Sequence, residues 1–261
     1  MSRFSISRAW DETMAVLRHD SRLIVPIALA FLVLPGVISD TARPQASASV
    51  TNPTGVTVIF MVLVLIAALV GQLAIIWLSI SRGANVREAI ERGARKVPAV
   101  IGSALLLLIP ATLILAPFVL PILARPTNPP PAASLALLIA VPLLLIPACR
   151  FLLASTSAVV EGLGPIAMLK RSWGLTRGST AKLYGMFLLF MIATLIVVSA
   201  TQFVAGSLVI VALGRPEPWS VAALLSALLV QLATAVLSVL VTIMIARIYG
   251  QLAGTEPIKG I

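Results

Sequence analysis

Long apolar runs separated by short basic connections organise this chain. Six stretches, Leu23–Ser39, Val56–Ser81, Val97–Ala124, Ala132–Ala158, Leu183–Leu213 and Trp219–Ala246, are apolar and almost free of charge. Each is long enough to cover most or all of the roughly 30 Å of hydrocarbon that about 20 helical residues span. A backbone in hydrocarbon must pair its own amides. The short alternating segments of a transmembrane barrel do not occur, so the runs are predicted to be helices. The expected fold class is all-α, a polytopic membrane bundle of about six transmembrane helices. Pro110, Pro117 and Pro121 in the third run, with Pro142 and Pro147 in the fourth, predict bends where each ring removes a backbone donor.

The segments leading into the first, third and fifth runs resemble one another. In residues 1–22, Ile6, Trp10, Met14 and Leu17 share one helical face opposite Arg8, Asp11, Glu12 and Arg18. Near 165–177, Pro165 suits a first helical position and Gly178 a stop, and Ile166, Leu169 and Trp173 form the apolar stripe. Arg8-Ala9-Trp10 recurs as Arg171-Ser172-Trp173. The copy near 84–96 is weaker: Val86, Ile90 and Val97 are spaced for one face, and Glu88/Arg92 and Glu91/Arg95 are pairs four apart. The expectation is three repeats of an interfacial amphipathic helix plus a transmembrane hairpin, filling a membrane domain over 23–246 and ending in a tail at 247–261. Helices of this kind lie in the headgroup plane. They either anchor the bundle alone, or also gather anionic lipid or dock a partner, and both readings give the same pattern.

Charge decides the orientation. Arg3, Arg8, Arg18, Arg22, Arg82, Arg87, Arg92, Arg95, Lys96, Lys170, Arg171, Arg177, Lys182, Arg247 and Lys259 fall on one side, and only Arg43, Arg125 and Arg215 on the other. The positive-inside rule then makes both termini cytoplasmic. Ala46-Ser47-Ala48 after the first run offers a signal-cleavage pattern, but Asp11, Glu12 and Asp20 precede that run, so an uncleaved anchor is expected. The stretch Pro126–Pro131 reads as a stiff extended turn.

Composition supports the membrane class, with 59% hydrophobic and 11% charged residues. In that context the net charge of +10 points to anionic headgroups rather than nucleic acid, and the basic segments lack the interleaved aromatics of a single-strand binder. No nucleic-acid partner is expected. The single cysteine, Cys149, allows no intrachain disulfide, and the single histidine, His19, lies in the lead-in. All nine acidic residues sit in loops, tails or helix ends, and no glycine-rich phosphate cradle occurs. Accordingly no catalytic residue, metal or cofactor is expected.

Arg150 is the one charge inside an apolar run. With the fourth helix centred near Leu145 it lies about 7–8 Å from the midplane at 1.5 Å per residue. It either snorkels to the interface or holds a lipid phosphate or a helix contact. Its pairing with Glu161 requires the helix to break, for which Ser155-Thr156-Ser157 offers a place. Gln72, Gln202 and Gln231 are read mainly as interhelical hydrogen-bonding groups. Trp77, Trp219, Tyr184 and Tyr249 fall where an aromatic belt would lie.

The stretch Arg150-Phe151, Val159-Val160-Glu161-Gly162-Leu163-Gly164-Pro165 and Leu169-Lys170-Arg171-Ser172-Trp173-Gly174-Leu175-Thr176-Arg177-Gly178, with the closing Ala246-Arg247-Ile248-Tyr249-Gly250-Gln251-Leu252, resembles the membrane domain of some bacterial glycerophosphoryl diester phosphodiesterases and their stand-alone relatives. The resemblance implies a six-helix module of a bacterial inner membrane. The soluble catalytic barrel of the fused members, with its metal-binding carboxylates and histidines, has no counterpart in this sequence, so no hydrolysis is expected.

These readings converge on a non-enzymatic inner-membrane protein that organises anionic lipid or a membrane protein partner. Its candidate contacts are Arg150, Glu161, Lys170, Arg171, Trp173, Arg177, Arg8 and Trp10. The alternative is a transporter or exporter of a small lipid-related solute, which a polar groove joining Arg150, Gln72, Gln202 and Gln231 would favour. An enzyme would need Glu161, Lys170, Arg171 and Arg177 to converge with His19.

Overall fold

The computed structural model describes residues 5–42, 55–81, 83, 85–124, 130–214 and 216–254. The Ala46–Ala48 pattern, residues 126–129 of the proline-rich turn, and Arg3, Arg43, Arg82, Arg125, Arg215 and Lys259 lie outside them. Among the described residues all regular structure is helical. α1 (Ile6–Ala28) passes through a five-residue π turn (Leu29–Val33) into α2 (Leu34–Ala42), followed by α3 (Gly55–Ile80), α4 (Val86–Ala124), α5 (Pro131–Arg150), α6 (Ala154–Val160), α7 (Pro165–Thr176), α8 (Thr180–Leu213) and α9 (Val221–Ala253). Six stretches are long and apolar enough to cross a membrane: Ile6–Thr41, Gly55–Ile80, Val86–Ala124, Pro131–Val160, Thr180–Leu213 and Val221–Ala253. The chain is an all-α, multi-pass membrane protein.

The first two lead-ins are not separate helices. α1 carries residues 6–22 straight into the first span, and α4 carries the segment near 84–96 straight into the third. Only the last lead-in, α7, stands alone. Pro165 opens it at the first position, where the missing N–H does no harm, and Gly178 at φ +92° turns the chain after it. α9 runs on to Ala253, so Arg247 and Tyr249, assigned to a tail from sequence, are helical.

Prolines behave less simply than the sequence suggests. α4 holds Pro98, Pro110, Pro117 and Pro121, and α5 holds Pro142 and Pro147, each as one assigned helix. In the first span a π turn sits between Pro26 and Pro35, and the Leu34 N–H reaches back to the Leu29 carbonyl. Pro35 has no N–H to offer the Phe31 carbonyl, and a wider turn there eases the ring past it.

The chain divides into two compact units, Met1–Val97 with Leu188–Ile261, and Pro98–Phe187. In the first, α1, α3 and α9 pack on one another around Ile24, Ile27, Leu73, Ile75, Ile243, Ile248 and Tyr249. Trp77 and Tyr249 are therefore buried, whereas Trp219 is exposed as a belt residue would be. Gly93 lets α4 close on α3: a Cβ there would stand 2.9 Å from the Val70 carbonyl oxygen and 3.1 Å from the Ala74 nitrogen. Near the other end of α9, the Gln231 amide donates to Asp40 of α2 at 2.6 Å. In the second unit, α6 and α7 share a core of Ala154, Ala158 and Met168, with Ala99, Val100, Leu163 and Leu169 against it.

The buried faces of the lead-ins differ from the expected ones. Ala9 and Thr13 are fully buried, while Ile6 and Trp10 are exposed. In α7, Met168, Ser172 and Thr176 are buried, while Ile166 and Trp173 are exposed. In the middle segment Ala89 and Gly93 are buried together with Val97 of the expected face, while Val86 and Ile90 are only partly buried. Small residues four apart thus meet the neighbouring helices in all three, as close packing in a membrane favours.

Candidate functional site: an arginine–tryptophan corner in the second unit

The site begins where the fourth span breaks. α5 ends at Arg150, and Phe151–Leu153 form a turn in which the Phe151 N–H bonds back to Ala148 and the Ala154 N–H to Phe151. The break falls ahead of Ser155-Thr156-Ser157, the place the sequence offered. Nothing in the local sequence marks it. Its stabilisation is tertiary: the turn frees the Arg150 carbonyl, and Ser172 Oγ of α7 donates to it at 2.5 Å. A partly buried carbonyl inside a membrane segment gains from such a partner.

α6 then leads through Glu161 and Gly162, at φ +73°, to Gly164 and Pro165, which start α7. Pro165 packs on Gly102 of α4, where a Cβ would come within 3.1 Å of the proline ring. These contacts fix α7 so that Trp173 faces Arg150. The guanidinium carbon lies 4.3 Å from the centre of the Trp173 ring, and Phe151 packs beside the same indole at 5.5 Å between centroids with a 39° tilt. A cation over an indole face is attracted by the ring quadrupole while its remaining N–H donors stay available at the edge.

The helix breaks as an Arg150–Glu161 pair would require, yet Glu161 does not take Arg150. It takes Arg171 instead: Arg171 Nε lies 2.8 Å from Oε1 and 3.1 Å from Oε2. Lys170 on α7 and Arg177, the residue that caps its C-terminal end, lie exposed seven residues apart, near the face that carries Trp173. Arg150, Lys170, Arg171 and Arg177 thus bring four cations to one element and its flank, against the one carboxylate of Glu161. Ser172 and Phe151, which build the corner, carry no chemical signal in the sequence beyond their place beside Arg150 and Trp173.

Arg8 and Trp10 belong to the first unit. Arg8 is tied to Glu12 at 2.9 Å, and Trp10 is exposed. That unit has its own stack, Arg92 over Trp77 at 3.7 Å, which the sequence did not suggest. Of the glutamines, Gln231 is engaged by Asp40, Gln202 lies exposed on α8, and Gln72 is half-buried on α3.

The chain belongs to the family described as Domain of unknown function (DUF7847). The family model matches residues 5–252. The DUF7847 match therefore takes in all six long apolar helices and the whole Arg150–Trp173 corner. No curated protein and no solved structure matches the chain.

Proposed function

We propose that this protein is a non-enzymatic multi-pass protein of a bacterial inner membrane, with both termini cytoplasmic, that holds anionic lipid headgroups, or an acidic membrane partner, on the cationic and aromatic face of α7. The observation that carries the reading is the seat of Arg150 on Trp173. A guanidinium held flat on an indole is pre-organised and keeps donors for a phosphate, and Lys170 and Arg177 extend the positive face along the same helix. Arg171, oriented by Glu161, adds a fixed charge beside it. A solute path draws less support, since Gln231 is taken up by Asp40 and Gln202 lies on an exposed face. The resemblance to the membrane domain of glycerophosphoryl diester phosphodiesterases fits this proposal as a membrane module without catalytic residues. The three-unit reading belongs to it too, supported by the buried pairs Ala9/Thr13, Ala89/Gly93 and Ser172/Thr176 at matching positions.

The test is native mass spectrometry of the gently solubilised protein beside an Arg150→Leu, Arg171→Leu variant. Selective retention of anionic lipid by the wild type and its loss in the variant is the expected result. Equal retention by both, or retention of a small solute instead, overturns the proposal.

A further inference from the structure

The first unit holds a second polar feature that the lipid-facing corner does not use. A cleft of about 610 Å³ opens between α1, the end of α3 and α9, lined among others by Glu12, His19, Asp20, Ser79, Ser81 and Arg247. Its volume falls within the roughly 300–1,000 Å³ of small-molecule sites. Glu12, His19 and Asp20 reach it from one face of α1, being seven and eight residues apart along the helix. α1, α3 and α9 pack directly on one another, so most of the wall is set by the core of the unit, with Ser81 and Gly83 of the α3–α4 connection completing it.

We propose that this cleft binds a small zwitterion, a molecule carrying a protonated amine close to an anionic group. The lining has both signs. Asp20 makes no hydrogen bond or ion pair among the described residues, and Glu12 stands on the same wall, ion-paired with Arg8 at 2.9 Å. Both are acceptors for an ammonium group. Arg247 is pinned by donation from Nη2 to the Ser79 carbonyl, which fixes its guanidinium against α3. A lone anion entering here meets two carboxylates, and a lone cation meets Arg247. A zwitterion satisfies both walls.

Ser81 lines the cleft at 8% exposure, and its Oγ is buried with no hydrogen-bond partner among the described residues. Buried hydroxyls are rarely left so, and a turn of the side chain that brings the Oγ to the cleft surface would let a bound polar group complete it. The chemistry is shared by an aminoalkyl phosphate lipid headgroup and by a free amino acid or aminoalkyl phosphate.

The experiment uses the full chain in detergent and reads binding by titration calorimetry with O-phosphoethanolamine and β-alanine, against ethanolamine and inorganic phosphate separately. The expected result is binding of a zwitterion about tenfold tighter than either half alone. Asp20→Asn is expected to weaken it by a similar factor and Ser81→Ala by less, with the thermal midpoint of both variants unchanged. Reconstitution into phosphatidylethanolamine nanodiscs separates the sources. If the headgroup is the ligand, the lipid blocks O-phosphoethanolamine and is retained in native mass spectra by the wild type but not by Asp20→Asn; if a free solute is the ligand, titration is unchanged by the lipid. Equal binding of ethanolamine or phosphate alone, no binding of any probe, or wild-type affinity in both variants overturns the proposal. Because no residue of the Arg150–Trp173 corner takes part, this result is independent of the lipid test above.

Discussion

The Arg150 guanidinium sits 4.3 Å from the centre of the Trp173 ring, across a break that separates the two residues in secondary structure as well as in sequence. An arginine near a membrane boundary can reach water by itself, so the presence of Trp173 in its path needs a separate account. The indole face keeps the charge attached to α7 instead of free to extend.

If the stack is what holds the charge, Trp173→Leu should weaken anionic-lipid retention in the way Arg150→Leu does. The double variant should be little worse than either single one. A double-mutant cycle on thermal stability is expected to give a coupling of about 0.5–1 kcal/mol, the range for a cation–aromatic pair at a partly exposed site. Additive effects would mean that the two side chains act separately.

Gly93 is expected to tolerate no side chain. A Cβ would lie 2.9 Å from the Val70 carbonyl oxygen, a backbone atom that cannot rotate away. Gly93→Ala should therefore destabilise the detergent-solubilised protein by about 1–3 kcal/mol, the scale of overpacking, despite the better helix propensity of alanine. Gly206→Ala is the control: a Cβ there would meet nothing within 4 Å, and the change should leave the melting midpoint where it is or raise it. A Gly93→Ala protein as stable as the control would show that α3 and α4 do not meet there.

Why the sequence disclosed the spans but not the packed faces follows from the solvent. Apolar length reports hydrocarbon thickness, so each of the six apolar runs falls in a long apolar helix, although the first, third and sixth helices extend well past the run. The stripe rule assumes that large apolar residues turn inward, which holds in water. In a membrane they turn to lipid, and small residues meet small residues. Hence Ile6, Trp10, Ile166 and Trp173 are exposed, while Ala9, Thr13, Ser172 and Thr176 are buried. Within the site, Arg150 stood out as the lone charge in a run. Its surroundings did not, because the break at Phe151–Leu153 is held by Ser172 from 22 residues away.

The pairing of Gln231 with Asp40 is expected to join α2 to α9 as a unit. Gln231→Leu leaves a carboxylate without its donor and should cost about 0.6–1.7 kcal/mol or more of stability in detergent. Asp40→Leu combined with Gln231→Leu should recover part of that loss, since neither polar group then remains unpaired. If the double variant is as unstable as the sum of the single ones, the hydrogen bond at 2.6 Å is not what couples these helices.

The direction of the bundle can be read from one helix. The Ser5 N–H donates to Gln251 Oε1 at 3.2 Å, so the start of α1 lies at the C-terminal end of α9. α9 is 33 residues long, about 50 Å at 1.5 Å per residue, which exceeds the hydrocarbon and sets Glu217, just before it, on the opposite side from Ser5. Single cysteines at Ser7 and Glu217, both exposed, should then react with a membrane-impermeant maleimide from opposite faces. Cys149 is 1% exposed and should give no background. On the proposed orientation, which rests on the excess of Lys and Arg in the segments before α1 and at the start of α4, Glu217→Cys is expected to label in intact spheroplasts and Ser7→Cys only after lysis. Labelling of both from one face would mean that α9 does not cross; labelling in the reverse order would keep the crossing and overturn the proposed orientation.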